Sequence, residues 1–312
     1  MTNNTYAGIP EEFVKLEQSK IVLIPVPYDG TSTVQKGSEK GPEAFLNASN
    51  NMELYDIETD TEVYQQGVYL ADLVEDNTSP EALIDAVHQT TKKYIKKNKF
   101  VTIFGGEHAI SIGNIRAFNE MFPSLTVLHI GAHAHLRKSH NGTSVNNTCA
   151  LHEASQTTNL IQVGIRSMSA IEKTIADIDK TYFSHEMAVD DTWIDSAIDQ
   201  MTDNVFINFS LSGLDLSIMP NTTSPLPGGL FWYETLDFIK QVFAEKNVVG
   251  FDMVDLCPHA KQKSSDFVAA KLYYKMLSYK FMDQEVGDDY DNAYDNSKQK
   301  NNATKFNDDD EY

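Results

Sequence analysis

The chain has 312 residues, 41% of them hydrophobic, and a formal net charge of −20. That length holds one large α/β domain or two smaller ones, and the acidity argues against nucleic acid or an anionic membrane surface as a partner. Two cysteines are too few for a disulfide framework, and no stretch approaches the roughly 20 apolar residues that span a bilayer. The opening MTNNTYAGIPEEF has neither the basic nor the apolar region of a signal peptide, so a cytoplasmic protein is expected.

In chain order, short β-rich apolar runs alternate with amphipathic segments. IVLIPV (21–26) is the first strand candidate, followed by a helical pattern over 80–97, PEALIDAVHQTTKKYIKK. FVTIFG (100–105), LTVLHI (125–130), NLIQVGI (159–165) and NVFINF (204–209) are strand candidates of the same kind. A helix is predicted over 233–246, then the strand VVGFDMV (248–254) and a last helix over 264–282. This alternation predicts an α/β fold in three layers, a mostly parallel central sheet with helices on both faces. No repeat or linker interrupts it, so residues 1–282 read as a single domain. From Asp283 to Tyr312 ten acidic residues stand against three lysines, and this tail, rich in Asn and Asp, is expected to be disordered and solvating.

In open α/β sheets ligands bind beyond the carboxyl ends of the strands, which makes the residues after each run the informative ones. They read GGEHA (105–109), GAHAH (131–135), RSMS (166–169), SLSGLD (210–215) and DLCP (255–258). His133, His135 and His140 crowd one strand end with no carboxylate among them. His108, His133 and His135, with His140 as a further candidate, suit a single softer ion such as Zn²⁺, Cu²⁺ or Ni²⁺, which take imidazole readily. His129 lies inside its strand and reads as a satisfied core histidine. His88 and His185 read as surface or helix residues, and Cys149 near His152 lacks the orienting acid of a nucleophilic pair.

Seven stretches resemble the ureohydrolase family of arginases and agmatinases. They are PVPYDGTSTVQKGSEKGPEAFL (25–46), FGGEHAISIG (104–113), LHIGAHAHLR (128–137), NGTSVNNTCALHE (141–153), QVGIRSMS (162–169), INFSLSGLDLSIMPNTTSPLPGGLFWYE (207–234) and VVGFDMVDLCP (248–258). The agmatinase-like branch is the nearest in pattern. The resemblance implies an arginase-like fold, a homo-oligomer, and hydrolysis of a small guanidine such as agmatine to urea and an amine. In the family a pair of Mn²⁺ ions, held by two His and four Asp, supplies the attacking hydroxide.

Mapped onto that pattern, His108 and His133 stand at the two histidine ligand positions. Gly131, His135, Ser210 and Ser212 take the four aspartate positions, so the carboxylate ligands are lost. Asn147 stands where a proton-shuttling histidine belongs, and Asn carries no proton near neutral pH. Leu226 takes the Glu position of Pro-Glu-Pro-Gly-Gly, and Asp255 is one methylene shorter than the usual Glu near the guanidinium. Two 2+ ions about 3.5 Å apart repel by on the order of 19 kcal/mol at an effective dielectric of 20. Neutral imidazoles and hydroxyls supply no charge against that. The expectation is therefore a catalytically silent member of the family, with no Mn²⁺ pair, assembled with itself or with an active relative. Two alternatives stand beside it: one softer divalent ion on the histidines, and an active hydrolase that recruits carboxylates from elsewhere.

Overall fold

The six predicted runs become strands because they are apolar on both faces, as a sheet covered by helices requires. In the computed structural model, which describes residues 5–282 apart from positions 33 and 77, the strands are β1 (Ile21–Val26), β2 (Val68–Leu70), β3 (Phe100–Gly105), β4 (Thr126–Ile130), β5 (Asn159–Ile165), β6 (Thr181–Phe183), β7 (Asn204–Ser210) and β8 (Asn247–Val254). The acidic tail lies outside the described residues. The sheet runs β2-β1-β3-β8-β7-β4-β5-β6, and every neighbouring pair in it is parallel. The two strands absent from the sequence reading, β2 and β6, are three-residue edges with one buried and two half-buried residues each. So short a segment carries no periodicity to detect.

Helices α1 (Gly41–Ser49), α2 (Pro80–Ile95), α3 (Ser111–Met121), α4 (His152–Thr157), α5 (Ala170–Lys173), α6 (Ser184–Met187), α7 (Trp193–Asp199), α8 (Trp232–Glu245) and α9 (Ser264–Phe281) surround the sheet. Alternate residues of each strand divide between two cores. Ile21 and Leu23 join Phe45 of α1, Phe238 of α8 and Tyr273 of α9 on one face. Val22, Ile24 and Val26 join Leu83 of α2 and Phe118 of α3 on the other. The period of two in the strand sends neighbours to opposite layers, which is why both layers can be apolar. Local signals set the ends: Ser79 caps α2 by accepting from the Ala82 N–H, with Pro80 in its first turn and Lys92 and Lys93 in its last.

One level of the sheet breaks the apolar rule. Register places Gln162, His129, Asn208 and Asp252 side by side on β5, β4, β7 and β8. All four are buried, on the face covered by α2 and α3. Asn114 of α3 donates to Asp252 at 3.2 Å, and Thr91 of α2 donates to Asn114 at 3.1 Å. This polar row lies directly beneath the carboxyl ends of the central strands and supports what stands there.

Candidate active site

Four central strands, β3, β8, β7 and β4, deliver the predicted residues to one place. The turn after β3 carries His108 into α3. Gly106 lets that turn pass close to the neighbouring loop, because a Cβ there would lie 2.0 Å from the Tyr28 carbonyl oxygen. Glu107 points the other way, as extended backbone requires. Its buried carboxylate accepts from the Thr31 N–H at 2.9 Å, the Thr31 hydroxyl at 2.5 Å and the Ser32 hydroxyl at 2.7 Å. Thr31 in turn accepts from the Asn147 N–H at 2.9 Å. Glu107 therefore ties the loop after β1 to the Asn147 segment and takes no part at the strand ends.

His108 is fully buried, with Nε2 2.8 Å from Asn208 Oδ1. Asn208 gives its amide nitrogen to Asp252 at 2.6 Å and to Ser111 at 3.0 Å, so its carbonyl faces His108 and, at 2.7 Å, His129 Nδ1. His129 Nε2 lies 3.1 Å from the His133 carbonyl. Burial, with the His108 charge beside it, pushes His129 down to about 3, so the ring is neutral and has one N–H for two acceptors. The expectation of a core histidine holds. Its position has a consequence: a Cβ on Gly131 would lie 2.5 Å from His129 Cε1 and Nε2. The imidazole occupies the space a side chain at 131 needs.

Ser210 and Ser212 are buried and bonded to each other at 2.6 Å, and the Ser210 hydroxyl donates to Asp255 Oδ2 at 2.6 Å. Thr223 donates to the other Asp255 oxygen at 3.2 Å. Asp255 sits in left-handed backbone, φ 74°, and so does His135, φ 52°. Neither is glycine, and such positions cost about 1–3 kcal/mol each. The turn at His135 brings its ring to 4.3 Å from that of His108, centroid to centroid, while His133 and His135 are 5.6 Å apart. His135 and Asp255, with His108, form the one group of potential metal ligands among the described residues. Of the three histidines named from the sequence, His108 and His135 fall in this group, Asp255 joins them, and His133 is not part of it.

Electrostatics follow from burial and pairing. Burial opposes the Asp255 charge, but His108, 3.5 Å away, and the Ser210 hydroxyl outweigh it and hold the carboxyl below its usual value. Burial likewise opposes a charged His108, and the Asp255 and Asp252 carboxylates outweigh it and raise that imidazole. His133 and His135 are lowered, chiefly by burial.

A cavity of about 300 Å³ opens onto this centre, lined among others by His133, His135, Asn147, Glu172 and Asp255. Leu226 is not among its lining residues; its carbonyl accepts from Arg166 at 3.0 Å, and Arg166 also gathers the carbonyls of Ser212 and Gly164. Asp215 accepts from the Gly228 and Gly229 N–H groups at 2.7 and 3.1 Å and so shapes the Pro-Gly-Gly loop. His140 belongs to the adjoining turn, where it exchanges backbone hydrogen bonds with Thr143. Sequence reasoning missed Asn208, Asp252, Asn114 and Ser111. The available signal was a polar residue at the same level of LHI, INF and FDM, triplets near the carboxyl ends of otherwise apolar strands.

Fold and site together define an arginase-like α/β architecture, with histidines clustered at the strand ends of a parallel sheet. The arginase family model matches residues 19–278. The chain is 33% identical over 299 residues to the N(1)-aminopropylagmatine ureohydrolase of Synechocystis sp., covering 88% of this chain and 96% of that one. Among solved structures it resembles the agmatine ureohydrolase of Thermoplasma volcanium, with a TM-score of 0.79, 25% identity, and coverage of 87% and 93%. Trypanosoma cruzi formiminoglutamase, solved with Mn²⁺, shares the fold at a TM-score of 0.78 and 20% identity, over 87% of this chain and 96% of that one. The chain belongs to the arginase family of ureohydrolases. Among the described residues no helix is long and apolar enough to cross a membrane.

The side chains present do not fit the family's Mn²⁺ pair. At the strand ends Asp255 is the only carboxylate within the candidate ligand group. The two serines spend their hydroxyls on each other and on Asp255. One negative charge faces four positive ones, and hard ions such as Mn²⁺ favour carboxylate oxygen.

Proposed function

We propose that this chain keeps the ureohydrolase fold and has given up Mn²⁺-dependent guanidine hydrolysis. The observation that carries this reading is the His129 ring in the space of a side chain at 131. A side chain at 131 would have to displace this buried ring, which is bonded to Asn208 at 2.7 Å. In this reading Gly131, His135, Ser210 and Ser212 stand at lost carboxylate ligand positions, with His108 and His133 the surviving histidines. Asn147 marks a lost proton shuttle, and its Oδ1 is buried without a partner. Asp255 is an altered guanidine contact, and Leu226 stands at the position of a second without lining the cavity. The cavity carries Asp255 together with a Glu172 that faces Arg137, and ligand binding without turnover is the role we favour, in an assembly with itself or with an active relative.

Two alternatives fare unequally. Recruitment of carboxylates from elsewhere has little support, because Glu107 is committed to Thr31 and Ser32, and Asp252 to Asn208 and Asn114. The single-ion alternative is compatible with silence in guanidine hydrolysis. The test is Mn²⁺ stoichiometry by mass spectrometry after loading and gel filtration. The reading predicts no bound pair, and two Mn²⁺ per chain would overturn it.

A further inference from the structure

Two buried nitrogens in this centre make no hydrogen bond: His108 Nδ1, which faces the Asp255 carboxylate at 3.5 Å, and His135 Nε2. An unpaired polar atom in so dry a place costs about 1–3 kcal/mol unless something else meets it. Their two residues form a group with Asp255 in which one candidate ligand atom from each lies within 4.8 Å of the others. One edge of that triangle, His108 Nδ1 to Asp255 Oδ2, measures 3.5 Å. A tetrahedral ion with ligands at roughly 2.1 Å has edges of about 3.4 Å. That edge already has the right length, and the others are no longer than 4.8 Å.

The surroundings are those of a ligand set. Asn208 takes the Nε2 side of His108, which leaves Nδ1 to face the centre. Ser210 and Thr223 orient the Asp255 carboxylate. Outer partners of this kind hold metal ligands in place. Two imidazoles and one carboxylate, with a fourth direction open to the cavity, suit one borderline-soft ion, and the single charge of Asp255 is enough where only one ion sits.

We propose that His108, His135 and Asp255 bind one divalent ion of the Zn²⁺ type, with its fourth position facing the 300 Å³ cavity. His133 lies outside the set. The site differs from the family's pair in number, in metal preference and in ligands, since it uses Asp255 and the histidine at 135.

The test uses the full chain, stripped with chelator and titrated with Zn²⁺ and with Co²⁺. The expected result is one ion per chain by mass spectrometry and the intense visible bands of four-coordinate Co²⁺. His135→Ala and Asp255→Asn should each weaken binding by more than roughly 100-fold, beyond the loss typical of an outer partner. His133→Ala should change it by less than about 10-fold on the same scale. His135→Asn keeps a polar group in the same space, and weakened binding with an unchanged melting curve separates ligation from folding. Absence of a stoichiometric ion in the unmodified chain overturns the proposal, as does equal affinity in the variants or an equal loss in His133→Ala. Urea release from agmatine would overturn the functional reading and leave this site standing; failure to bind Zn²⁺ would do the reverse.

Discussion

Gly131→Ala adds one methyl group to a buried loop, yet it probes the feature on which the functional reading rests. The new Cβ would meet His129 Cε1 and Nε2 at 2.5 Å and Ser210 Cβ at 3.3 Å. Ordinary carbon contacts lie near 3.5–4.0 Å, so the imidazole must retreat by about 1 Å. It is fully buried and bonded to Asn208 at 2.7 Å, so it has little room to do so. Overpacking of this kind costs about 1–3 kcal/mol, and loosening the Asn208 bond adds about 1 kcal/mol. We expect a total near 3 kcal/mol, a substantial part of a net stability of about 5–15 kcal/mol. Urea denaturation of the single variants and of His129→Ala/Gly131→Ala closes a double-mutant cycle. With the ring gone the added methyl should cost little, giving a coupling of at least about 1.5 kcal/mol. Gly131→Ala as stable as the parent, or a cycle that sums without coupling, would refute the steric argument.

Lys275 is buried and held by Asp56 at 2.9 Å and Glu58 at 2.6 Å. Lys275→Met should cost about 3–5 kcal/mol, because it strands the buried Asp56 charge; thermal melting checks this. Burial opposes the two charges, but Lys275 outweighs it, lowering Asp56 and holding Glu58 at about 2. Because these folded-state values are depressed, the pair's contribution is complete above the unfolded carboxyl values and is lost as pH falls from about 5 towards 2. Melting temperature should therefore drop over that range, and more steeply in the parent than in Lys275→Met; parallel curves would contradict the assignment. Glu107→Ala should free the loop around Thr31 and Ser32 and cost about 2–4 kcal/mol. Limited proteolysis should then cut near 29–37 well before the parent is nicked.

Much of the architecture is legible because central parallel strands are apolar runs with no competing reading, and β1, β3 and β5 fall on the expected residues. The edge strands are too short to announce themselves. The site was legible in part: GGEH and GAHAH stand at strand ends, and topology brings those ends together. What lay hidden depends on register and backbone turns. Nothing in the string LHIGAHAH says that the His129 ring covers Gly131, or that left-handed backbone at 135 and 255 turns His135 and Asp255 toward His108. The buried row Gln162–His129–Asn208–Asp252 became visible once four distant segments were aligned. Restoring ligands by sequence position alone would overlook this, since Asp at 131 would have to displace the His129 ring.

Urea release tests the central claim most directly. The parent chain and a restored variant are loaded with Mn²⁺ and offered agmatine or N(1)-aminopropylagmatine. The variant carries Gly131→Asp, His135→Asp, Ser210→Asp, Ser212→Asp, Asn147→His and Leu226→Glu, with His129→Ala to make room. The account predicts no enzymatic urea from the parent and measurable release from a folded restored chain. Sustained turnover by the parent, abolished by removing the metal, would contradict it.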